Sequence, residues 1–179
     1  MEEQRVLEGV LDSLKPPIPV ECVNLHFLYL TPFRYWPYER DSRFRRKGYT
    51  AGVLYAAQSE LVSVVEAVRF EIAFFADSPT ALRPQKPKQR STFSIPVATE
   101  RAVDLSRGIF KRHSAHWTGT SHDACQHLAD EARASRVQAI VYEASGTLPA
   151  DFGDQSTMNI AVLDCTAIAI LPQGMSRER

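Results

Sequence analysis

The sequence lacks any long apolar run and any excess of either charge. No apolar stretch reaches the roughly 20 residues that a membrane-spanning helix needs, and the N-terminus, MEEQRVLEGVLDSLKPP, is charged where a signal peptide would be apolar. The 21 basic residues balance 21 acidic ones, so no field of the whole chain attracts nucleic acid or an anionic membrane. We therefore expect a cytoplasmic protein whose preference for anions, if it has one, is local.

Cysteine is scarce, and the familiar ligand-binding motifs are missing. The three residues Cys22, Cys125 and Cys165 are widely spaced and give neither a disulfide framework nor a CxxC pair, which favours a reducing compartment. The spacing of HSAH and HDAC matches no standard zinc pattern, so we expect no metal. P-loop, GxGxxG and GxSxG motifs are absent, which excludes nucleotide binding by those common routes.

The chain does have enough apolar residues for one core. Its 179 residues are 44% hydrophobic, which is typical of a single domain, and we expect 1–179 to form one. Helical spacing of apolar residues over 4–15 predicts an amphipathic helix that packs on this domain. Residues 172–179 have nothing to bury and are expected to be a frayed tail.

Apolar periodicity predicts a fold with more strands than helices. Ser59 is expected to cap a helix that runs to about residue 77, and Ser121 to cap a second helix over 122–135. Residues 111–120 are predicted to be irregular. Strands are predicted over 21–30, 52–58, 91–99, 137–145 and 158–164.

The most basic stretch is FRYWPYERDSRFRRKG, residues 33–48, in which six basic side chains alternate with aromatic rings. Guanidinium groups match the oxygens of a phosphate, and Tyr35, Trp36 or Tyr38 can stack on a planar ring. A phosphate-binding loop and a solvated charged loop both fit these residues. We expect the stretch to connect the strands predicted at 21–30 and 52–58.

Glu66 is an acidic residue among apolar ones in the predicted helix. Helical spacing places Val62 and Phe70 on its side of the helix. A partly desolvated carboxylate can act on a ligand's hydroxyl groups or on developing positive charge. The alternative is a neutralised partner of an arginine such as Arg43 or Arg69, and the residues alone leave both open.

Several short motifs resemble the RES domain family, which is named for its arginine, glutamate and serine. Residues 31–79, with SRF, VLYAA and the helix that carries Glu66, are similar to the first half of that domain. HWTGTSHDACQHLADEAR, AIVYEASG and MNIAVL resemble its second half, in the right order. The resemblance covers about residues 28–163, which we take as the core of the domain.

The resemblance implies both a fold and a biological role. The fold is ADP-ribosyltransferase-like and α+β, with a mixed, mostly antiparallel central sheet flanked by helices. The role is that of the toxin in a bacterial type II toxin–antitoxin pair, with NAD as co-substrate and without a metal. The implied partner is a cognate antitoxin that occludes the NAD pocket in a hetero-oligomer, with no direct contact to nucleic acid or membrane.

Matching the motifs position by position implies a set of site residues. Glu66 matches the family's glutamate, Arg43 its arginine and Ser145 its serine, and these three are the implied catalytic residues. In this scheme Glu66 faces the oxocarbenium-like ribose that forms when the nicotinamide bond breaks. The residues implied to bind NAD are Arg34, Arg43, Tyr55, Ser145 and Asn159.

Three functions remain open at this point. The preferred one is transfer of ADP-ribose to a cellular protein, with a nucleotide-biosynthesis enzyme such as phosphoribosyl pyrophosphate synthetase as a candidate target. The second is an NAD glycohydrolase or phosphorylase that depletes NAD. The third is a non-catalytic module that binds phosphate or RNA, which would leave Glu66 and Tyr55 without a task.

Overall fold

The computed structural model describes residues 2–35, 37–48, 51–78, 80, 86–144 and 157–170. The α-helices within these residues are α1 (Glu2–Ser13), α2 (Phe27–Arg34), α3 (Glu60–Asp77), α4 (Gly108–Arg112), α5 (Ala115–Thr118) and α6 (Asp123–Ala134). The strands are β1 (Leu54–Ala57), β2 (Ala102–Asp104), β3 (Ala139–Glu143) and β4 (Met158–Val162). Two short 3-10 turns span Val20–Cys22 and Cys165–Ala167.

The four strands form one sheet in the order β1-β4-β3-β2. Strand β4 is antiparallel to both of its neighbours, whereas β2 runs parallel to β3. The predicted α+β fold with a mixed, mostly antiparallel sheet is therefore confirmed. Tyr55 is paired with Ala161, and Tyr142 with Asn159; because paired residues and alternate residues share a face, all four lie on one side of the sheet.

Each face of the sheet is covered by a different part of the chain. On the face that carries Tyr55, the core contains Ile140 and Tyr142 of β3 and Cys125 and Ala129 of α6. It also contains Phe44 of the basic stretch 33–48, which we call the basic loop. On the other face, a second core contains Leu54, Val162, Ala167 and Ile168, with Tyr29 and Phe33 of α2 packed against it. The basic loop thus lies on the same side of the sheet as Tyr142 and Asn159.

The strand predicted over 21–30 is wrong, because this segment forms a 3-10 turn and helix α2. His26 caps the helix through its ring Nδ1, which accepts a hydrogen bond from the Leu28 amide at 3.3 Å. Leu25, Tyr29 and Phe33 are spaced four residues apart and pack on the same core, which is a helical period. The basic loop therefore connects a helix to a strand, and not two strands.

The strand predicted over 91–99 is also wrong. Within the described residues this segment has only an isolated bridge between Val97 and Ile168, and Pro96 lacks the amide that a central ladder needs. Strand β2 follows it instead and pairs with β3 over three residues. The segment predicted as irregular contains α5 and the end of α4, whereas the remaining predicted helices and strands are confirmed with shorter bounds.

Helix α1 confirms the helix predicted over 4–15, but its predicted packing is wrong. The apolar side chains of its stripe are between 51% and 75% exposed: Val6, Leu7, Val10, Leu11 and Leu14. Their spacing makes the helix amphipathic, yet the described residues leave the stripe open. None of the helices described here combines the length and apolar character required to cross a bilayer.

The prediction of a chain without a disulfide framework is wrong for two of the three cysteines. Cys22 and Cys165 form a disulfide that joins the two 3-10 turns across 143 positions of sequence. Cys125 is free and fully buried in the core on α6. Burial raises the pKa of the Cys125 thiol, although the nearby Arg43 opposes the rise, so this residue stays protonated at neutral pH.

We expect thiol titration to separate the three cysteines. The unreduced, denatured chain should show one reactive thiol and the reduced chain three, while native Cys125 should react slowly because it is buried and protonated. Replacing Cys22 and Cys165 by serine should lower the free energy of unfolding by about 2 to 5 kcal/mol, because the closed loop is long. Three reactive thiols in the unreduced, denatured chain would contradict the pairing.

Candidate functional site

Tyr55 on β1 ties the basic loop to the sheet. Its hydroxyl oxygen accepts a hydrogen bond from the Phe44 amide at 3.0 Å and lies 2.9 Å from the Ser42 hydroxyl. Burial of this hydroxyl raises the pKa of Tyr55, and the two hydrogen bonds offset only part of the rise. The phenol therefore stays neutral and holds the SRF motif, while 40% of the residue remains exposed.

Arg43, the arginine of SRF, reaches the connection between α5 and α6. Its Nη1 donates to the carbonyl of Trp117 and, at 3.3 Å, to that of Gly119. The same nitrogen lies 3.9 Å from the Cys125 sulfur. These contacts take one terminal nitrogen of a group that has five N–H donors, so Arg43 is anchored to backbone and still carries donors suited to an anion.

Glu66 is half-buried on α3, where its Oε1 lies 3.4 Å from Nη1 of Arg69. Both side chains are about one third exposed, and ion pairs of this kind contribute about 0 to 0.5 kcal/mol. Arg69, one of the two partners considered for Glu66 in the sequence, thus forms an ion pair with it, but the pair is long and accessible to solvent. The carboxylate can exchange Arg69 for a ligand hydroxyl at little cost.

Tyr142 and Asn159 are paired across β3 and β4 and are buried on the same face of the sheet as Tyr55. Tyr142 packs edge-on against Phe44, with ring centroids 4.9 Å apart. Its pKa is raised by burial first and then by Tyr55 and Glu66, while Arg43 and a hydrogen bond from the Asn159 side chain oppose the rise. The phenol of Tyr142 therefore stays neutral at physiological pH.

The amide oxygen of Asn159 is buried without a partner. The residue is 5% exposed, and its Oδ1 has no hydrogen-bond partner within the described part of the chain. An unsatisfied buried acceptor costs free energy, so such atoms are rare in folded proteins. A ligand that offers an N–H or O–H group would satisfy it.

A cleft of about 1040 Å³ is lined by Tyr55 and Asn159, whereas Arg43, Glu66 and Tyr142 are not among its lining residues. Its other walls come from the four strands, from the start of α3 and from residues 90–95. That segment is fastened to α3, since Glu71 binds Arg90 and, at 3.2 Å, Lys88, while Thr92 donates to Glu60 at 2.7 Å. The volume lies at the upper end of those typical of ligand sites.

The family model of the RES domain matches residues 18–178, nearly the whole chain. The chain belongs to the RES domain family. RES domains occur in the toxins of toxin–antitoxin pairs, and the family is associated with enzymatic toxins that use NAD. No curated protein matches the chain.

Two predicted site residues of this RES domain, Arg34 and Glu66, are not joined to the other predicted site residues by any described contact. Arg34, at the end of α2, donates from Nε to the Pro16 carbonyl at 2.7 Å, with its guanidinium 5.7 Å from the Tyr35 ring. Ser145 lies outside the described residues, as does Trp36. Their roles stay predictions.

Sequence reasoning missed Tyr142 in the RES domain site. The residue lies within the AIVYEASG motif, but aromatic residues are common in strands and only the register shows that it is paired with Asn159. The histidines at first considered for zinc lie on and around α4, α5 and α6. Within the described residues no group of three His, Cys, Asp or Glu side chains could hold a metal ion.

We expect Tyr55→Phe to loosen the basic loop of this RES domain without removing the ring that lines the cleft. Two hydrogen bonds to the hydroxyl are lost, which should lower the free energy of unfolding by about 1 to 3 kcal/mol. Urea unfolding measures the change, and Tyr35→Phe at the end of α2 serves as the control. Equal stability of the two variants would contradict a structural role for the Tyr55 hydroxyl.

Proposed function

We propose that this RES domain is a toxin that cleaves the nicotinamide–ribose bond of NAD and transfers ADP-ribose to a cellular protein. One observation carries the proposal: Tyr55 and Asn159 share one face of the sheet and both line a cleft of about 1040 Å³, and the buried Oδ1 of Asn159 has no hydrogen-bond partner within the described residues. An aromatic ring and an amide beside a cleft of this size suit a dinucleotide.

The proposed chemistry needs a carboxylate near the reacting sugar. When the glycosidic bond breaks, neutral nicotinamide leaves with the bonding electrons and the anomeric carbon becomes positive. Glu66 would accept a hydrogen bond from a ribose hydroxyl and face that charge, and its partial burial strengthens the interaction. A nucleophilic atom of the acceptor then bonds the same carbon and loses its proton.

The remaining predicted residues would bind and orient NAD. Arg43, with Arg34 as a second candidate, would bind the pyrophosphate, because a guanidinium matches phosphate oxygens. The exposed ring of Tyr55 would lie against the nicotinamide. Asn159 offers its unpaired Oδ1 to a donor such as the carboxamide, and Ser145 is proposed for the ribose or the carboxamide.

Hydrolysis or phosphorolysis of NAD is the second candidate function. Glu66 is about one third exposed, so water or phosphate can reach its surroundings unless a protein acceptor covers them. The products would then be free ADP-ribose or its phosphate, and toxicity would come from NAD depletion. For protein transfer, a nucleotide-biosynthesis enzyme such as phosphoribosyl pyrophosphate synthetase is the proposed target.

RES domain toxins usually pair with an antitoxin, and we propose that a cognate antitoxin blocks this cleft. The positive loop at 33–48 beside Tyr55 would complement an acidic or carboxylate-ended segment of the partner. NAD turnover by the purified pair should therefore be lower than turnover by the toxin alone. Equal turnover would refute the occlusion.

Release of nicotinamide from NAD tests the proposed function directly. The purified protein should release nicotinamide above a protein-free control, and Arg43→Lys should raise KM by about tenfold, because lysine keeps the charge but loses the planar fork. Chromatography of the products gives both values. No release above the protein-free control would overturn NAD cleavage, and an unchanged KM in the variant would overturn the role of Arg43.

A further inference from the structure

Arg45 is a buried guanidinium that lacks a partner for one of its nitrogens. The residue is only 9% exposed, and its Cζ lies 3.8 Å from the centroid of the Tyr38 ring. Within the described residues, its Nη1 has no hydrogen-bond acceptor. Stacking on an aromatic ring stabilises a guanidinium, but a buried charge without an acceptor remains costly.

The neighbouring carboxylate of Asp41 is not a partner of this nitrogen. Asp41 is close enough to oppose the fall that burial imposes on the pKa of Arg45, yet its Oδ2 accepts a hydrogen bond from Gln126 Nε2 at 3.2 Å. The same oxygen lies 4.0 Å from His122 Nδ1. Since arginine stays protonated in proteins, the site keeps a positive charge and an unused donor.

The backbone holds Arg45 next to the cleft residue Tyr55. Ser42 and Arg45 form a bridge in which the Ser42 amide donates to the Arg45 carbonyl at 2.8 Å and the Arg45 amide donates back at 3.1 Å. The Ser42 hydroxyl is in turn 2.9 Å from the Tyr55 hydroxyl. Arg45 is thereby linked through Ser42 to the hydroxyl of Tyr55.

Neighbouring arginines are already engaged by groups of the protein. Arg43 donates to the carbonyls of Trp117 and Gly119, and Arg34 donates to that of Pro16. Arg46 pairs with Asp130 at 2.9 Å and donates to Gln126 at 3.3 Å. Arg45 differs from them in combining deep burial, close stacking on an aromatic ring and a buried terminal nitrogen that has no acceptor within the described residues.

We propose that Arg45 is an anion-binding residue of the basic loop, next to Tyr55, whose Nη1 donates to an oxygen of a diphosphate ester. The identity of that ester as NAD rests on the proposed function. The anion site itself rests on the burial, stacking and unpaired nitrogen of Arg45. Tyr38 acts as a positioning residue, because its ring supports the guanidinium and its hydroxyl is fixed by the Pro32 carbonyl at 2.5 Å.

Calorimetric titration with ADP and with adenosine tests this site, because the two ligands differ only in the diphosphate. Arg45→Gln should weaken ADP binding by about tenfold or more, as expected for the loss of a hydrogen bond to a charged group, and leave adenosine binding unchanged. Arg46→Gln is the matched control and should stay within about twofold of the wild type. An unchanged affinity for ADP in Arg45→Gln would overturn the proposal.

A second variant, Arg45→Lys, tests the anion site if Arg45→Gln does not fold. Arg45→Lys keeps a positive charge over Tyr38 and should fold, but it loses the planar fork and should also bind ADP more weakly than the wild type. Its thermal unfolding is compared with that of Arg46→Gln. Wild-type affinity for ADP in this folded variant would count against a guanidinium-specific contact.

The two proposals can fail separately. If nicotinamide is not released but ADP affinity depends on Arg45, the proposed function fails and the anion site stands. If NAD is cleaved while Arg45→Gln binds ADP like the wild type, the anion site fails and the proposed function stands. A wild-type chain that binds no ADP would overturn the anion site whatever the NAD assay shows.

Discussion

Glu66→Gln is expected to slow nicotinamide release from NAD by about a hundredfold to a thousandfold while the fold is kept. Glutamine has the shape of glutamate but lacks the charge that would face the positive ribose. Glu66 is about one third exposed and its ion pair with Arg69 is 3.4 Å long, so the free energy of unfolding should change by less than about 0.5 kcal/mol. Steady-state kinetics and urea unfolding measure the two effects.

Arg69→Gln is the matched control for this variant. It breaks the same ion pair on α3 and leaves the carboxylate in place, so turnover should stay within about threefold of the wild type. Comparing Glu66→Gln with Arg69→Gln separates the effect of losing the carboxylate charge from the effect of losing the ion pair. A folded Glu66→Gln variant with wild-type turnover would remove Glu66 from the mechanism.

Gly52→Ala is expected to lower the free energy of unfolding by about 3 kcal/mol or more. A Cβ at this position would lie 1.8 Å from the Pro32 carbonyl oxygen and 2.9 Å from the Phe33 Cα. Both are backbone atoms of α2 and cannot turn aside as a side chain can. The substitution should push α2 away from the start of β1, and urea unfolding measures the loss.

Gly9→Ala provides the contrasting control in helix α1. Nothing lies within 4 Å of a Cβ built there, and alanine favours a helix over glycine by about 1 kcal/mol. This variant should therefore be as stable as the wild type or slightly more stable. If Gly52→Ala were also as stable as the wild type, the close approach of α2 to β1 would be contradicted.

The elements that sequence analysis predicts well are those with one clear period. Helix α3 and strands β1, β3 and β4 lie within the predicted ranges. Helix α2 was missed because its apolar and aromatic residues resemble a strand in composition, although Leu25, Tyr29 and Phe33 repeat every four residues. Strand β2 has only three residues and depends on its pairing with β3.

Sequence analysis likewise predicts some residues of the candidate site and misses others. Glu66, Arg43, Tyr55 and Asn159 lie in short motifs, so a family resemblance can point to them. The burial of Arg45 and its stacking on Tyr38 cannot be predicted from the sequence, since only the folded loop distinguishes this residue from the adjacent Arg46, which binds Asp130. The disulfide is also hidden, because pairing across 143 positions depends on the whole fold.

A label-transfer assay tests the central claim most directly. The purified protein is incubated with NAD labelled on its adenylate side and a bacterial lysate, beside a lysate-free sample and the Glu66→Gln variant. We predict label on one discrete protein band that is absent with the variant. Free labelled ADP-ribose or its phosphate, without a labelled band, would contradict protein transfer and establish NAD consumption, and unchanged NAD would contradict both.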